Sequence, residues 1–242
     1  RHLEQPDKTK ARLLEMASKE LGQEMVEQHF TPRYNPWEER LCLIPDGDLY
    51  QAIKAGDASV VTGTIDTFTP TGLRMTSGEE LEADIIVTAT GLKLVTIGEM
   101  DFVVDDEPVD FSQTFTYKAL AYSDVPNLVS SFGYVNASWT LRSDITCGYV
   151  CRLLNHMRDT GTDTATPRLR VGDRDMPRRP LITEFTPGYM QRVMHLMPKQ
   201  GDREPWINPQ LLARDKQLIV KAPIDDGVMQ FTRSRAPATV TA

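Results

Sequence analysis

The chain has 242 residues, 40% of them apolar and 25% charged, with a formal net charge of −7. That is enough for one large domain or two small ones with real cores, and the acidic balance argues against nucleic-acid binding, which rests on a basic footprint. No apolar run approaches the roughly 20 residues a membrane-spanning helix needs, no secretory signal opens the chain, and three cysteines (Cys42, Cys147, Cys151) are too few and too odd for a disulfide framework, so the cytoplasm is the expected compartment.

Arg1 rather than Met opens the chain and a helical pattern begins almost at once, so a segment upstream is expected. Leu14, Ala17, Leu21 and Met25 recur at three- and four-residue spacing and predict one helix capped by Asp7. Two prolines in Thr31-Pro-Arg-Tyr-Asn-Pro-Trp37 then predict an ordered, aromatic-rich loop. Residues 40–44 read as a short strand, and Asp46-Gly-Asp48 as a turn that caps a helix over 49–55 ending at Gly56. This strand, turn and helix fit the last βα unit of a doubly wound sheet.

Val60 and Val61, residues 64–68 and residues 73–76 predict three short strands separated by the turns at 69–72 and 77–78. The continuous apolar run at 85–90, ending in Thr90-Gly91, predicts a strand buried on both faces, the habit of parallel sheets. Its carboxyl end is where ligands sit in open α/β sheets. Beyond it, 102–104, 115–122 and 128–132 read as strands. Leu141, Ile145, Tyr149, Leu153 and Met157 then share one face of a helix that stops before Gly161. Residues 160–180, rich in Thr, Arg, Asp and Pro, read as a mobile linker or a surface excursion. A short helix buries Met190, Val193, Met194 and Met197, Asn208-Pro209 offers another helix start, and the end from Ala236 onward is expected to fray.

Several chemistries have no sequence support. There is no Gly-x-Gly-x-x-Gly and no Walker loop, so the chain has no recognisable phosphate cradle. Cys147 and Cys151 are not a Cys-x-x-Cys pair and, lacking a nearby His or further Cys, read as core residues rather than metal ligands. The four histidines lack ligand spacing, and no Gly-x-Ser-x-Gly element is present.

Two features can carry chemistry. At 133–141 a strand turns through Gly133 into a helix with Asn136 or Ser138 as cap. Its N–H groups and dipole favour negative charge, although the same residues also describe a simple capped helix. The other is Arg40, which on residues alone reads as a surface ion-pair partner of Glu38 and Glu39.

At this point a family resemblance enters. His29-Phe-Thr-Pro-Arg-Tyr-Asn-Pro-Trp-Glu-Glu-Arg-Leu-Cys-Leu-Ile-Pro-Asp-Gly-Asp48 resembles a segment of Baeyer–Villiger monooxygenases of the ethionamide-monooxygenase type. So do Ala83-Asp-Ile-Ile-Val-Thr-Ala-Thr-Gly-Leu92, Gly133-Tyr-Val-Asn-Ala-Ser-Trp-Thr-Leu141, Glu184-Phe-Thr-Pro-Gly-Tyr189, Pro198-Lys-Gln-Gly201 and Pro205-Trp206, in order over nearly the whole chain. The Ala-Thr-Gly turn alone is common to many flavin enzymes. The longer segments are specific.

The resemblance implies the C-terminal half of an α/β flavoprotein with two Rossmann-like dinucleotide-binding domains for FAD and NADPH, a β-meander and a helical C-terminal region. Residues 1–90 would end the NADP-binding domain, 91–160 return to the FAD-binding domain, and 161–242 form a linker and C-terminal extension. Reduced flavin and O2 would form a C4a-peroxide that inserts oxygen into ketones or onto sulfides. Arg40 matches the catalytic arginine near the flavin, a cation that stays charged at any working pH. Thr90 and Gly91 would form the crossing between domains, and Asn136, Trp139, Thr140 and Ser143 would meet the flavin. No metal is implied. The position before Arg40, a lysine for the NADPH 2′-phosphate in other subgroups, is Glu39 here. The Gly-rich cofactor loops would lie upstream of Arg1, leaving this chain inactive alone. Two alternatives stay open: a flavin N- or S-hydroxylating monooxygenase, against which Trp37 and residues 184–189 weigh, and a non-catalytic α/β module.

Overall fold

The computed structural model describes residues 5–42, 44–183 and 185–233 and divides into two units, Arg1–Leu92 and Lys93–Ala242. Residues 236–242, expected to fray, lie outside the described residues, as do 1–4, Leu43, Glu184 and 234–235.

In the first unit, helix α1 (Pro6–Leu21) starts on Pro6, where the missing N–H is no loss. Gln5 is the N-cap, so Asp7 stands inside the first turn, where its charge opposes the helix dipole, instead of capping it. Gly22, at φ 85° and ψ 156°, breaks the predicted single helix, and α2 (Gln23–His29) follows. The loop at 31–37 is held by the Lys10 ammonium, which donates to the carbonyls of Pro32 (2.8 Å) and Tyr34 (3.2 Å). Helix α3 (Asp48–Ala55) closes on left-handed Gly56, as its sequence predicts.

Strands β1 (Ile65–Thr69), β2 (Gly72–Met75) and β3 (Glu80–Glu82) form an antiparallel meander in that order. Gly72 is required there, because a Cβ would lie 1.9 Å from the Leu81 carbonyl oxygen of β3. Val60 and Val61 join no strand, and the third strand comes from downstream. Two further predicted strands are absent. Residues 40–42 and 44 form none, and Leu43 is outside the described residues. Residues 85–90 form none either, and Ile85 and Val87 are 83% and 82% exposed. A buried parallel strand depends on strands and helices at its sides, and among the described residues nothing pairs with this run.

The second unit starts with β4 (Val103–Val104) and β5 (Glu107–Pro108), which pair across Asp105 and Asp106, both at positive φ. The predicted strand at 115–122 is instead a hairpin of β6 (Thr116–Tyr117) and β7 (Ala121–Tyr122), because Lys118 and Ala119 take positive φ. Residues 128–132 form no strand. Helix α4 (Trp139–Thr160) runs from Ser138 to left-handed Gly161. It buries Ile145, Tyr149, Leu153 and Met157 as expected, but Leu141 is exposed and Arg142 takes its place on the inner face.

Strand β8 (Thr164–Pro167) pairs with β11 (Met229–Thr232), so the stretch read as a mobile linker contributes Ala165, Asp173 and Met176 to the interior. Between them β9 (Arg179–Pro180) pairs with β10 (Lys199–Gln200), α5 (Gly188–Gln191) leads a run of turns, and α6 (Leu212–Asp215) continues into a π-helical turn, Lys216–Lys221. Asn208-Pro209 starts no helix; Asn208 is buried as a hydrogen-bonding hub.

One core joins α4 to the β6–β7 hairpin, Trp206 and Ile219, and a second gathers Ile182, Phe185, Met190, Val193, Met194 and Met197. Each fully buried side chain of this kind contributes roughly 1.5–3 kcal/mol. The result is a mixed helix-and-strand protein, consistent with an α/β fold, whose named strands all pair antiparallel among the described residues.

Candidate functional site

The turn at 131–143 sets four of the predicted site residues on one helix start. Gly133 lets the chain pass beneath Trp139, since a Cβ there would lie 2.2 Å from Trp139 Cγ. Phe132 packs on the same indole at 5.1 Å, leaving Trp139 47% exposed. Asn136 and Thr140 are exposed, and Ser143 is half-buried with its hydroxyl 2.9 Å from that of Ser131. Ser138 occupies the cap position, but its hydroxyl pairs with Thr140 (2.7 Å) and makes no cap to the backbone. The first turn also contains no acidic residue. At the positive end of this 22-residue helix, the cap residue Ser138 therefore makes no side-chain bond to the backbone among the described residues. That donor set, beside a half-exposed indole, fits an anionic, planar ring.

Behind the turn lies a polar cluster that the sequence reading did not single out. Arg142, 1% exposed, donates from Nη1 to Asn208 Oδ1 (2.9 Å) and from Nη2 to Asp215 Oδ1 (3.3 Å). Its guanidinium lies over the Tyr134 ring at 5.3 Å. Burial pushes the Asp215 carboxyl above the ordinary carboxylate value, against the pull of Arg142. Burial also raises the Tyr134 phenol, helped by the neighbouring Asp215. The available signal was an arginine on the helix face shared with Ile145 and Tyr149.

A second buried cluster closes the β6–β7 hairpin onto β11. Lys118 Nζ lies 2.9 Å from Asp226 Oδ2, which also accepts from the Tyr117 hydroxyl at 2.6 Å, while the Tyr149 hydroxyl donates to that of Tyr117 at 3.3 Å. Burial pushes the Tyr149 phenol up to about 12.

The other predicted residues lie in the first unit. Arg40 is exposed and follows the turn at 36–39, in which Trp37 takes φ 80°. Glu38, one of the two acids beside it, accepts from Asn35 N (2.8 Å) and Asn35 Nδ2 (3.2 Å). Thr90 is exposed, and Gly91, at φ 104°, is in a conformation that favours glycine, with open space around it. The cysteines correct the sequence reading: Cys147 and Cys151, expected in the core, are exposed on the outer face of α4, and Cys42 is exposed too. Position on the helix explains this, since both fall on the side opposite Tyr149 and Leu153. Among the described residues no three His, Cys, Asp or Glu side chains gather as a metal site, and no helix is long and apolar enough to cross a membrane.

A mixed α/β chain with this open helix start is homologous to FAD-containing monooxygenases over nearly its whole length. The relatives are of the EthA type. It is 48% identical over 215 residues to the FAD-containing monooxygenase EthA of Mycobacterium tuberculosis, covering 89% of this chain and 43% of that protein. EthA of Mycolicibacterium smegmatis is 44% identical over 237 residues (98% of this chain, 48% of the relative). The probable FAD-binding monooxygenase AlmA of Acinetobacter baylyi is 40% identical over 230 residues (95% and 46%). The chain thus spans about half the length of the curated relatives it matches. No family model matches it, and no solved structure matches it.

Proposed function

We propose that this chain is the C-terminal half of an FAD- and NADPH-dependent monooxygenase that inserts one oxygen atom of O2 into ketones, giving esters or lactones, or onto sulfides. The observation that supports this most is the 40–48% identity, over about nine-tenths of the chain, to FAD-containing monooxygenases. In this reading residues 1–90 complete an NADP-binding Rossmann-like domain, 91–160 belong to the FAD-binding domain, and 161–242 are the C-terminal extension. Bound FAD, reduced by NADPH, supplies the chemistry that activates O2.

This chain's residues contribute position and charge. The α4 N-terminus, with Asn136, Trp139, Thr140 and Ser143, holds the flavin ring, and its N–H groups and dipole favour negative charge there. Arg40 brings a fixed positive charge to the site, where its field acts most strongly once water is excluded. Thr90 and Gly91 form the crossing between the two cofactor domains. Glu39 cannot bind the NADPH 2′-phosphate, so that contact comes from another residue. The exposed, free cysteines agree with a reducing, cytoplasmic setting.

In the enzyme that carries these residues, Arg40→Ala should lower ketone-dependent NADPH oxidation at least about a hundredfold, the scale on which loss of one charge-stabilising donor acts. FAD content should be unchanged. The 242-residue chain alone should neither hold FAD nor oxidise NADPH. Unchanged turnover removes Arg40 from the mechanism, and stoichiometric FAD on the chain alone overturns its reading as one half of the site.

A further inference from the structure

We propose that residues 208–215 form a clamp that positions the turn at 133–143 for flavin, with Arg142, Asn208, Gln210 and Asp215 as positioning residues; this rests on the reading of that turn given above. The turn is held from behind on both flanks. On its upstream side Val135 N donates to Gln210 Oε1 at 2.9 Å. On its helix side Arg142 donates to Asn208 and Asp215 at 2.9 and 3.3 Å. Gln210 Nε2 donates to Asn208 Oδ1 at 3.1 Å, so the two flanks share one acceptor. Asn208 is itself fixed: its N–H donates to Gln200 Oε1 (2.9 Å) and its Nδ2 to the Leu181 carbonyl (3.0 Å). Every link faces inward, while Asn136, Trp139 and Thr140, between the flanks, face outward.

A buried ion pair is a poor device for stability alone. An apolar pair of the same volume often serves as well, because both ions lose their hydration. Arg142 and Asp215 are 1% and 0% exposed. The pair also leaves Arg142 Nε and Asp215 Oδ2 without a hydrogen-bond partner among the described residues. What such a pair supplies is a single register between the first turn of α4 and α6. A ring bound by backbone N–H groups needs that, since an error of about 1 Å in placement is expensive.

The test uses the flavin-loaded enzyme that carries these residues. The double variant Arg142→Met with Asp215→Leu removes the clamp without stranding a charge. Gln210→Ala removes the bond to Val135 N and the link to Asn208, and keeps the buried ions paired. Unfolding midpoint, FAD dissociation constant and the visible circular dichroism of the bound flavin are measured for each. The expected result is a retained midpoint with FAD affinity lowered on the order of tenfold in the double variant and about threefold in Gln210→Ala, and an altered flavin dichroism in both. Trp139→Ala, in the turn itself, separates the two readings. If it weakens FAD binding while both clamp variants bind FAD and show the flavin dichroism of the parent, the clamp is wrong and the turn stands. If none of the three changes FAD binding, the turn does not meet the flavin and the clamp falls with it.

Discussion

Lys118 occupies a tight hairpin turn at φ 50°, yet its side chain is 1% exposed. Its ammonium lies 4.8 Å from the Tyr117 ring centroid and 5.4 Å from that of Tyr149, and the counter-charge is Asp226 at 2.9 Å. Burial lowers the lysine pKa, with Asp226 opposing. An ammonium taken out of water is tolerated only with such a partner. Lys118→Met should therefore destabilise the chain by about 3–5 kcal/mol, because it leaves the Asp226 charge buried without its partner. Urea unfolding measures this, and a loss below about 1 kcal/mol would mean that the pair behaves like a surface one. Nothing in the sequence marked Lys118, since it stood inside a stretch read as one strand over 115–122 and its partner, Asp226, is remote in sequence. Arg142 was hidden for a related reason. The apolar period of α4 can be phased through Leu141 or through position 142, and hydropathy favours the leucine. The packing chose the arginine because Asp215 and Asn208, more than sixty residues away in sequence, stand opposite it.

Elements with a local cause were legible, and elements with a remote cause were not. Helix α4 follows from its 3.6-residue period and Gly161, and α3 from the Asp-Gly turn and Gly56. The outward grouping of Trp139, Thr140 and Ser143 follows from the same period. By contrast β3 has one apolar residue in three and exists because β2 lies beside it. Strand β8, in a stretch of linker-like composition, exists because β11 returns to it. Asp226 ties that return in place. It accepts from Val228 N and Met229 N at 3.0 Å each and from the Tyr117 hydroxyl, and it pairs with the Lys118 ammonium on the hairpin side. Burial alone would raise the Asp226 carboxyl, but these donors and the lysine charge outweigh it and hold it below the ordinary value. A carboxylate lowered in the folded state contributes stability that is complete above the unfolded pKa, about 3.9, and lost as pH falls through the lower, folded value. Asp215, raised by burial, contributes with the opposite sign: its part declines as pH rises from the unfolded value to the folded one. Comparing variants isolates the first group. Urea midpoints of Asp226→Asn should be lower at pH 6 and should converge on those of the parent as pH drops below about 4. Parallel curves for the two proteins would take Asp226 out of the acid response.

At the scale of the whole molecule the least settled region is residues 83–92, at the end of the first unit. In extended chain, alternate side chains face opposite ways. Here Ile85 and Val87 are 83% and 82% exposed, and Ile86 between them is 38% exposed, so neither face of the run is covered. A continuous apolar run of this kind is what a strand inside a parallel sheet requires, and exposed apolar surface of that form marks a face that another element covers. The chain spans about half the length of its relatives, and in the proposed enzyme this run is a central strand of a cofactor domain. The two settings lead to opposite outcomes for one change, Ile85→Lys with Val87→Lys. In the 242-residue chain these side chains bury little, so the unfolding free energy should stay within about 0.5 kcal/mol of the parent. Self-association by light scattering should fall. In the enzyme with its full sheet, each side chain would give up the roughly 1.5–3 kcal/mol that burial contributes and would carry a charge into an apolar layer, so the folded, flavin-loaded protein should not accumulate. Equal tolerance in both settings would mean that the run stays at the surface in the enzyme as well, and residues 83–92 would then be neither a sheet strand nor the crossing between cofactor domains.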